Sequence, residues 1–170
     1  MFSIEHIHLM FNHFPIVGSV LVALVLGYSL IVNDKHSFRI AVLLLVLVGA
    51  TTRVTMWSGE EAEVLFNETT LSELIDEEAG GYLEEHEELS ERAAVTAYAA
   101  ALLGIIFAVL AVRKPQKQRT YAAVLLAFTL GTLALMGLTA VQGGRIHHPE
   151  FREGFVAEPL ARPDVDSDSN

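Results

Sequence analysis

His8-Leu9-Met10-Phe11-Asn12-His13-Phe14-Pro15-Ile16-Val17-Gly18 leads without a break into an apolar run that ends only at Val32. The part from Phe14 to Val32 has the length, roughly 17–25 residues, that a helix needs to cross the hydrocarbon core of a bilayer. Three more runs of this kind follow, Ile40 to Trp57, Ala93 to Val112 and Tyr121 to Val141. They raise the hydrophobic content to 52% and make the mean hydropathy positive, whereas soluble domains hold roughly 45–50% apolar residues. The sequence therefore predicts an all-α integral membrane protein. Its expected form is an up-down-up-down four-helix bundle over residues 1–150, both termini outside, with a flexible acidic tail over 151–170.

Charge placement gives the expected orientation. The net charge is -10, yet of the acidic residues only Asp34 lies outside the N-terminus, the central loop and the tail. Lys35 and Arg39 follow the first run, and Arg113, Lys114, Lys117 and Arg119 join the third to the fourth. By the positive-inside rule both short loops are cytoplasmic. The termini and the long loop 58–92 then face a periplasm, and the protein is expected in a bacterial inner membrane. The first residues carry Glu5 and histidines in place of Lys or Arg, with no small-residue cleavage site, so the first run is expected to be retained. Nucleic acid is excluded as a partner by the acidic exposed side, while the lipid bilayer is an obligatory one.

Local signals refine this picture. Ser3 can cap a helix holding Glu5, His6 and His8, and Pro15 either opens a fresh helix or kinks a continuous one. Ser19, Ala23 and Gly27, like Ala93, Ala97 and Ala101, form small-residue stripes suited to close helix packing. Arg53 lies about one turn inside the anchor Trp57, where a lipid-facing charge costs several kcal/mol. In the outer loop Thr70 and Glu73 make a capping box for an amphipathic helix that Gly80-Gly81 should close. A second helix from near Tyr82 carries His86 about two turns above the third run. Gly143-Gly144 reads as the stop signal of the fourth helix.

Six of the seven histidines, His6, His8, His13, His86, His147 and His148, fall at the outer ends of these helices, with His36 alone at the other side. Imidazole is the commonest metal ligand and the usual axial ligand of b-type haem. With no cysteine in the chain, thiolate sites and disulfides are excluded. The expected cofactor is haem b held by His13 and His86, with His8 and His147 as the next candidates and Arg53 or Arg145 facing its propionates. The alternative is a copper, zinc or iron ion held by His8, His13, His86 and His147, with His6 and His148 at hand. A third reading is a cofactor-free structural or assembly subunit. There is no His-Glu-x-x-His signature, no paired Glu-x-x-His for a di-iron bundle and no phosphate-cradling glycine loop.

His8 followed five residues later by His13-Phe14-Pro15, with His86 before the third helix and Gly143-Gly144 before His147, resembles the domain of unknown function 2231 family of small bacterial four-helix membrane proteins. The resemblance covers roughly Ile7 to Glu150. It departs at Leu9, where the family often has proline, and at Arg145-Ile146-His147-His148, where it has a tyrosine. It implies the four-helix fold and the importance of His8, His13 and His86, without an assigned activity. Members joined to cytochrome c-like segments imply electron transfer. On this reading the protein is a membrane b-type cytochrome that relays electrons between a quinone pool and a periplasmic cytochrome or respiratory complex. It is then an accessory electron carrier more than a stand-alone enzyme.

Overall fold

The computed structural model describes residues 3–67 and 77–156, and within them not the side chains of Glu5, Phe66, Asn67, Glu77 and His147. The described residues form five α-helices and no strand: α1 Ile4–Phe11, α2 Phe14–Val32, α3 Lys35–Asn67, α4 Glu77–Arg113 and α5 Gln118–His147. Short 3-10 turns at Pro115–Lys117 and Pro149–Phe151 follow α4 and α5. The capping box at Thr70 and Glu73 and the tail beyond Val156 lie outside the described residues.

Four of the helices are long and apolar enough to cross a membrane, over His6–Val32, Lys35–Leu65, Glu78–Arg113 and Pro115–Ile146. Consecutive long helices run antiparallel. Each packs on its neighbours in the chain, and α2 closes the ring against α5. Large apolar side chains cover the outside, Ile31 being 80% and Leu24 65% exposed. Such a surface suits a hydrocarbon solvent and not water.

The seam between the helices repeats every 3.5 residues. Buried positions at this spacing are Pro15, Ser19, Val22, Leu26 and Ser29 on α2, and Phe38, Ala41, Leu45, Val48 and Thr52 on α3, where Val42 and Gly49 are buried beside them. On α4 they are Ala93, Ala97, Ala100 and Gly104, and α5 supplies Ala122, Leu125, Thr129, Thr132 and Met136. Alternating steps of three and four make the pattern of a left-handed supercoil. Between lipid-facing helices no hydrophobic gain drives association, so close van der Waals contact must do so. The Ala and Gly seam of α4 provides it: Ala93 and Ala97 pack on Met136, and a Cβ built on Gly49 would stand 3.2 Å from that of Ala101. The stripe expected on α2 is only partly used. Ser19 is buried and donates its hydroxyl to Met136 Sδ at 3.7 Å, but a Cβ on Gly27 would meet nothing within 4 Å. The close approach on α2 is instead at Gly18, where a Cβ would stand 2.7 Å from Val48 Cγ2.

Buried threonine hydroxyls are satisfied within their own helices, Thr52 by the carbonyl of Val48 at 2.7 Å and Thr129 by that of Leu125 at 2.8 Å, while Ser29 donates to the carbonyl of Asp34 at 3.1 Å. Each of these hydroxyls thus keeps a partner on burial.

At the end holding both short turns, Asn33 adopts the left-handed conformation (φ 56°) and closes α2. Asp34 then caps α3, its Oδ2 accepting the Ser37 amide and hydroxyl, each at 2.7 Å. Gln118 Nε2 donates to the Asp34 carbonyl at 3.1 Å and binds the second turn to the first. Phe107 stacks on Tyr121 nearby, with ring centroids 4.8 Å apart.

At the opposite end the structure departs from the sequence expectation. The segment 58–92 is not chiefly a loop, because α3 continues through Trp57 and Gly59 to Asn67, and α4 begins at Glu77. Gly80-Gly81 and Gly143-Gly144 do not stop helices; they lie inside α4 and α5. A helical glycine costs about 1 kcal/mol relative to alanine. A Cβ on Gly80 or Gly81 would meet nothing within 4 Å, whereas Gly143 makes room for a ring described below. At 1.5 Å per residue, α4 is about 55 Å long, well beyond the roughly 30 Å of a hydrocarbon core.

A candidate bis-histidine site at the helix ends

Ser3 stands at the N-cap of α1, and its hydroxyl lies 2.7 Å from Nδ1 of His6. The helix ends at Asn12, and α2 starts afresh with Pro15 in its first turn. His13 is thereby left at the corner as the N-cap of α2, its ring exposed and without a hydrogen bond among the described residues. His8, one turn earlier, points the other way. Its Nδ1 lies 3.2 Å from the carbonyl of Thr55 and 3.3 Å from the hydroxyl of Ser58 on α3.

His86 on α4 repeats this arrangement against α5, its Nδ1 being 2.8 Å from the carbonyl of Thr139. Each ring also lies on a glycine four residues after the threonine that receives it. A Cβ on Gly59 would stand 3.1 Å from His8 Cε1, and one on Gly143 would stand 3.0 Å from His86 Cε1. Thr55-x-x-x-Gly59 and Thr139-x-x-x-Gly143 are thus equivalent receptors, one on the second helix of each hairpin.

A carbonyl can only accept, so Nδ1 must carry the proton in both rings. The lone pair is then on Nε2, the arrangement that metal-bound histidines use when a backbone carbonyl fixes their tautomer.

The remaining candidates are spread around this pair. His6 is exposed on Ser3, and His148 is exposed, pairing with Glu150 at 3.1 Å and tilting against Phe151. The Glu150 carboxyl is held below the usual carboxylate range by its own backbone amide first and by His148 second. His147 is the last residue of α5, and its side chain lies outside the description. Arg53 is exposed on α3, within electrostatic reach of Tyr98.

Arg145 is half-buried, its guanidinium 5.5 Å from the centre of the Tyr82 ring. Arg152, a residue that belongs to no motif, stacks on the same ring at 5.7 Å. Its buried side chain donates to the carbonyls of Arg145 at 2.9 Å and Ile146 at 3.1 Å and meets Glu78 at 3.7 Å.

Of the expected ligands, His8 and His86 are each seated against the backbone of a neighbouring helix, and His13 is left exposed. Among the described residues, no three His, Cys, Asp or Glu side chains form a group that could hold a metal ion. An open groove of about 340 Å³ between α4 and α5, lined by Thr96, Ala127, Phe128, Gly131, Thr132 and Leu135, includes neither ring. Comparison of the chain with protein-family models, with curated proteins and with solved structures gave no match.

Proposed function

We propose that this chain is a b-type-cytochrome-like electron-transfer protein of a bacterial inner membrane, in which His8 and His86 would hold the haem. The observation that carries the reading is the paired geometry of these rings, each with Nδ1 directed at a backbone carbonyl and Nε2 left to coordinate. A bare zinc or iron ion asks for about four protein ligands. Haem brings four nitrogens of its own and asks the protein for one or two more. The donor set at hand suits the second requirement better.

Haem b, when bound, supplies a one-electron iron couple. The chain's own part is to bind and to orient. The carbonyls of Thr55 and Thr139 hold the tautomer, and Gly59 and Gly143 let the rings lie flat against their helices. The resemblance to the domain of unknown function 2231 family adds His8 and His86 to the same list, together with His13.

In the proposed orientation the basic turns are cytoplasmic, and the termini and histidines are periplasmic. That orientation sets the site where a quinone pool and a periplasmic cytochrome or respiratory complex can both be reached.

The test is the visible spectrum of protein purified in mild detergent from a host supplied with haem, oxidised and then dithionite-reduced, with metal analysis of the same sample. A reducible Soret and alpha band supports the reading. Colourless protein with stoichiometric copper, zinc or iron replaces it with a non-haem site. Colourless, metal-free protein leaves the two rings as ties between helices in a structural subunit.

A further inference from the structure

Arg145 is singular among the described cations of the histidine end. A guanidinium carries five N–H donors, yet the hydrogen bond found here is one from Nη1 to Gln142 Oε1 at 3.3 Å. Its Nε is buried and has no partner. The carboxylates that could neutralise it are engaged elsewhere. Glu85 receives Gln142 Nε2, Glu78 faces Arg152, and Glu150 pairs with His148. Arg152, stacked on the same Tyr82 ring, adds a second positive charge without competing for the donors of Arg145. A buried charge-bearing donor left unpaired costs more than an ordinary lost hydrogen bond, and among the described residues no negatively charged acceptor meets the buried Nε of Arg145.

We infer that Arg145 receives an oxyanion at the end of α5. The chemistry asked for is two adjacent oxygens sharing a negative charge, which a guanidinium edge meets with parallel N–H bonds. Arg145 stands four residues beyond Val141, the last residue of the fourth apolar run, which is the depth of a headgroup region if that run spans the membrane. A phospholipid phosphate and the carboxylate of a bound cofactor both offer this group at that level. The inference does not rest on haem being present.

The experiment compares wild type, Arg145→Gln and Arg145→Lys in native mass spectrometry from detergent, titrated with phosphatidylglycerol and with phosphatidylcholine. Circular dichroism checks that helix content is unchanged, and haem content and reduction potential are measured on the same preparations. Retention of phosphatidylglycerol that falls about tenfold in Arg145→Gln, the scale of one charged hydrogen bond, identifies a lipid phosphate. Unchanged lipid retention with a displaced reduction potential identifies a cofactor carboxylate. Arg145→Lys should recover only part of either effect, since it keeps the charge and loses the planar edge. Folded Arg145→Gln protein that matches wild type in both readouts overturns the inference. A colourless wild type that still holds phosphatidylglycerol through Arg145 would sink the haem reading and leave this one standing.

Discussion

The imidazole of His86 fills the space that a side chain on Gly143 would need, Cε1 lying 3.0 Å from where a Cβ would stand. Gly143→Val should push the ring off Thr139 and lower stability by about 1–3 kcal/mol, the usual cost of overpacking. Thermal unfolding in detergent measures the loss, and nitrogen chemical shifts of His86 should report that the Nδ1–H tautomer is no longer fixed. A ring spectrum unchanged in Gly143→Val would mean that the glycine is not what seats it.

If the two half-buried rings hold haem, His8→Ala and His86→Ala should each abolish the low-spin Soret band. His13→Ala and His6→Ala, at exposed corners, should keep it. Loss of the band in His13→Ala alone would return the ligand role to the residue that the sequence motif favours.

Gly18 and Val48 make the tightest approach between α2 and α3, with 2.7 Å separating a built Cβ from Val48 Cγ2. Gly18→Leu should destabilise by about 1–3 kcal/mol. Val48→Ala in the same chain should recover part of this, giving a coupling of roughly 0.5–3 kcal/mol in a double-mutant cycle. Strict additivity would show that the two residues do not share the strain.

The Asp34 carboxyl is held below its ordinary range by the Ser37 hydroxyl first and by the Ser37 amide second. A carboxyl depressed by folding stabilises the native state fully above its unfolded value, and that contribution disappears as pH falls through the lower folded value. The stability difference between wild type and Asp34→Asn should therefore shrink on acidification and be absent below the folded value. Carboxyl carbon shifts of Asp34 against pH give the midpoint directly, and a midpoint at or above the ordinary range would refute the capping account.

Arg152 closes the last turn of α5 by donating to the carbonyls of Arg145 and Ile146. Hydrogen bonds from charged donors contribute about 1.5–3 kcal/mol each, so Arg152→Ala should lower stability by at least that scale for one bond. Amides of residues 143–147 should exchange faster with deuterium, while those of Leu125 to Thr132 should not change.

The four apolar runs were legible because a membrane span is marked by length and composition alone, both local properties. Helix ends were harder to read. Gly80-Gly81 and Gly143-Gly144 carry the residue type of a stop signal, but a stop needs the left-handed conformation; Asn33 takes that role, and the glycine pairs stay helical. Placing His13 ahead of His8 rested on its coming from a different helix than His86, which is equally true of His8. The direction of each ring depends on whether Pro15 breaks or bends the helix, which spacing does not decide. The signal that could have favoured His8 was the twofold occurrence of Thr-x-x-x-Gly, at 55–59 and 139–143. It acquires meaning only once packing sets a histidine against each copy. Arg152 was passed over because a lone arginine in an acidic, polar stretch has no pattern of its own.

The matching seats of His8 and His86 make the bundle its own reference. Gly59 and Gly143, or Thr55 and Thr139, can be exchanged one at a time against an untouched counterpart in the same molecule. Whatever differs between the two rings in such paired experiments must come from what is not duplicated, the corner at Asn12 and His13 on one side and the Tyr82 cluster on the other.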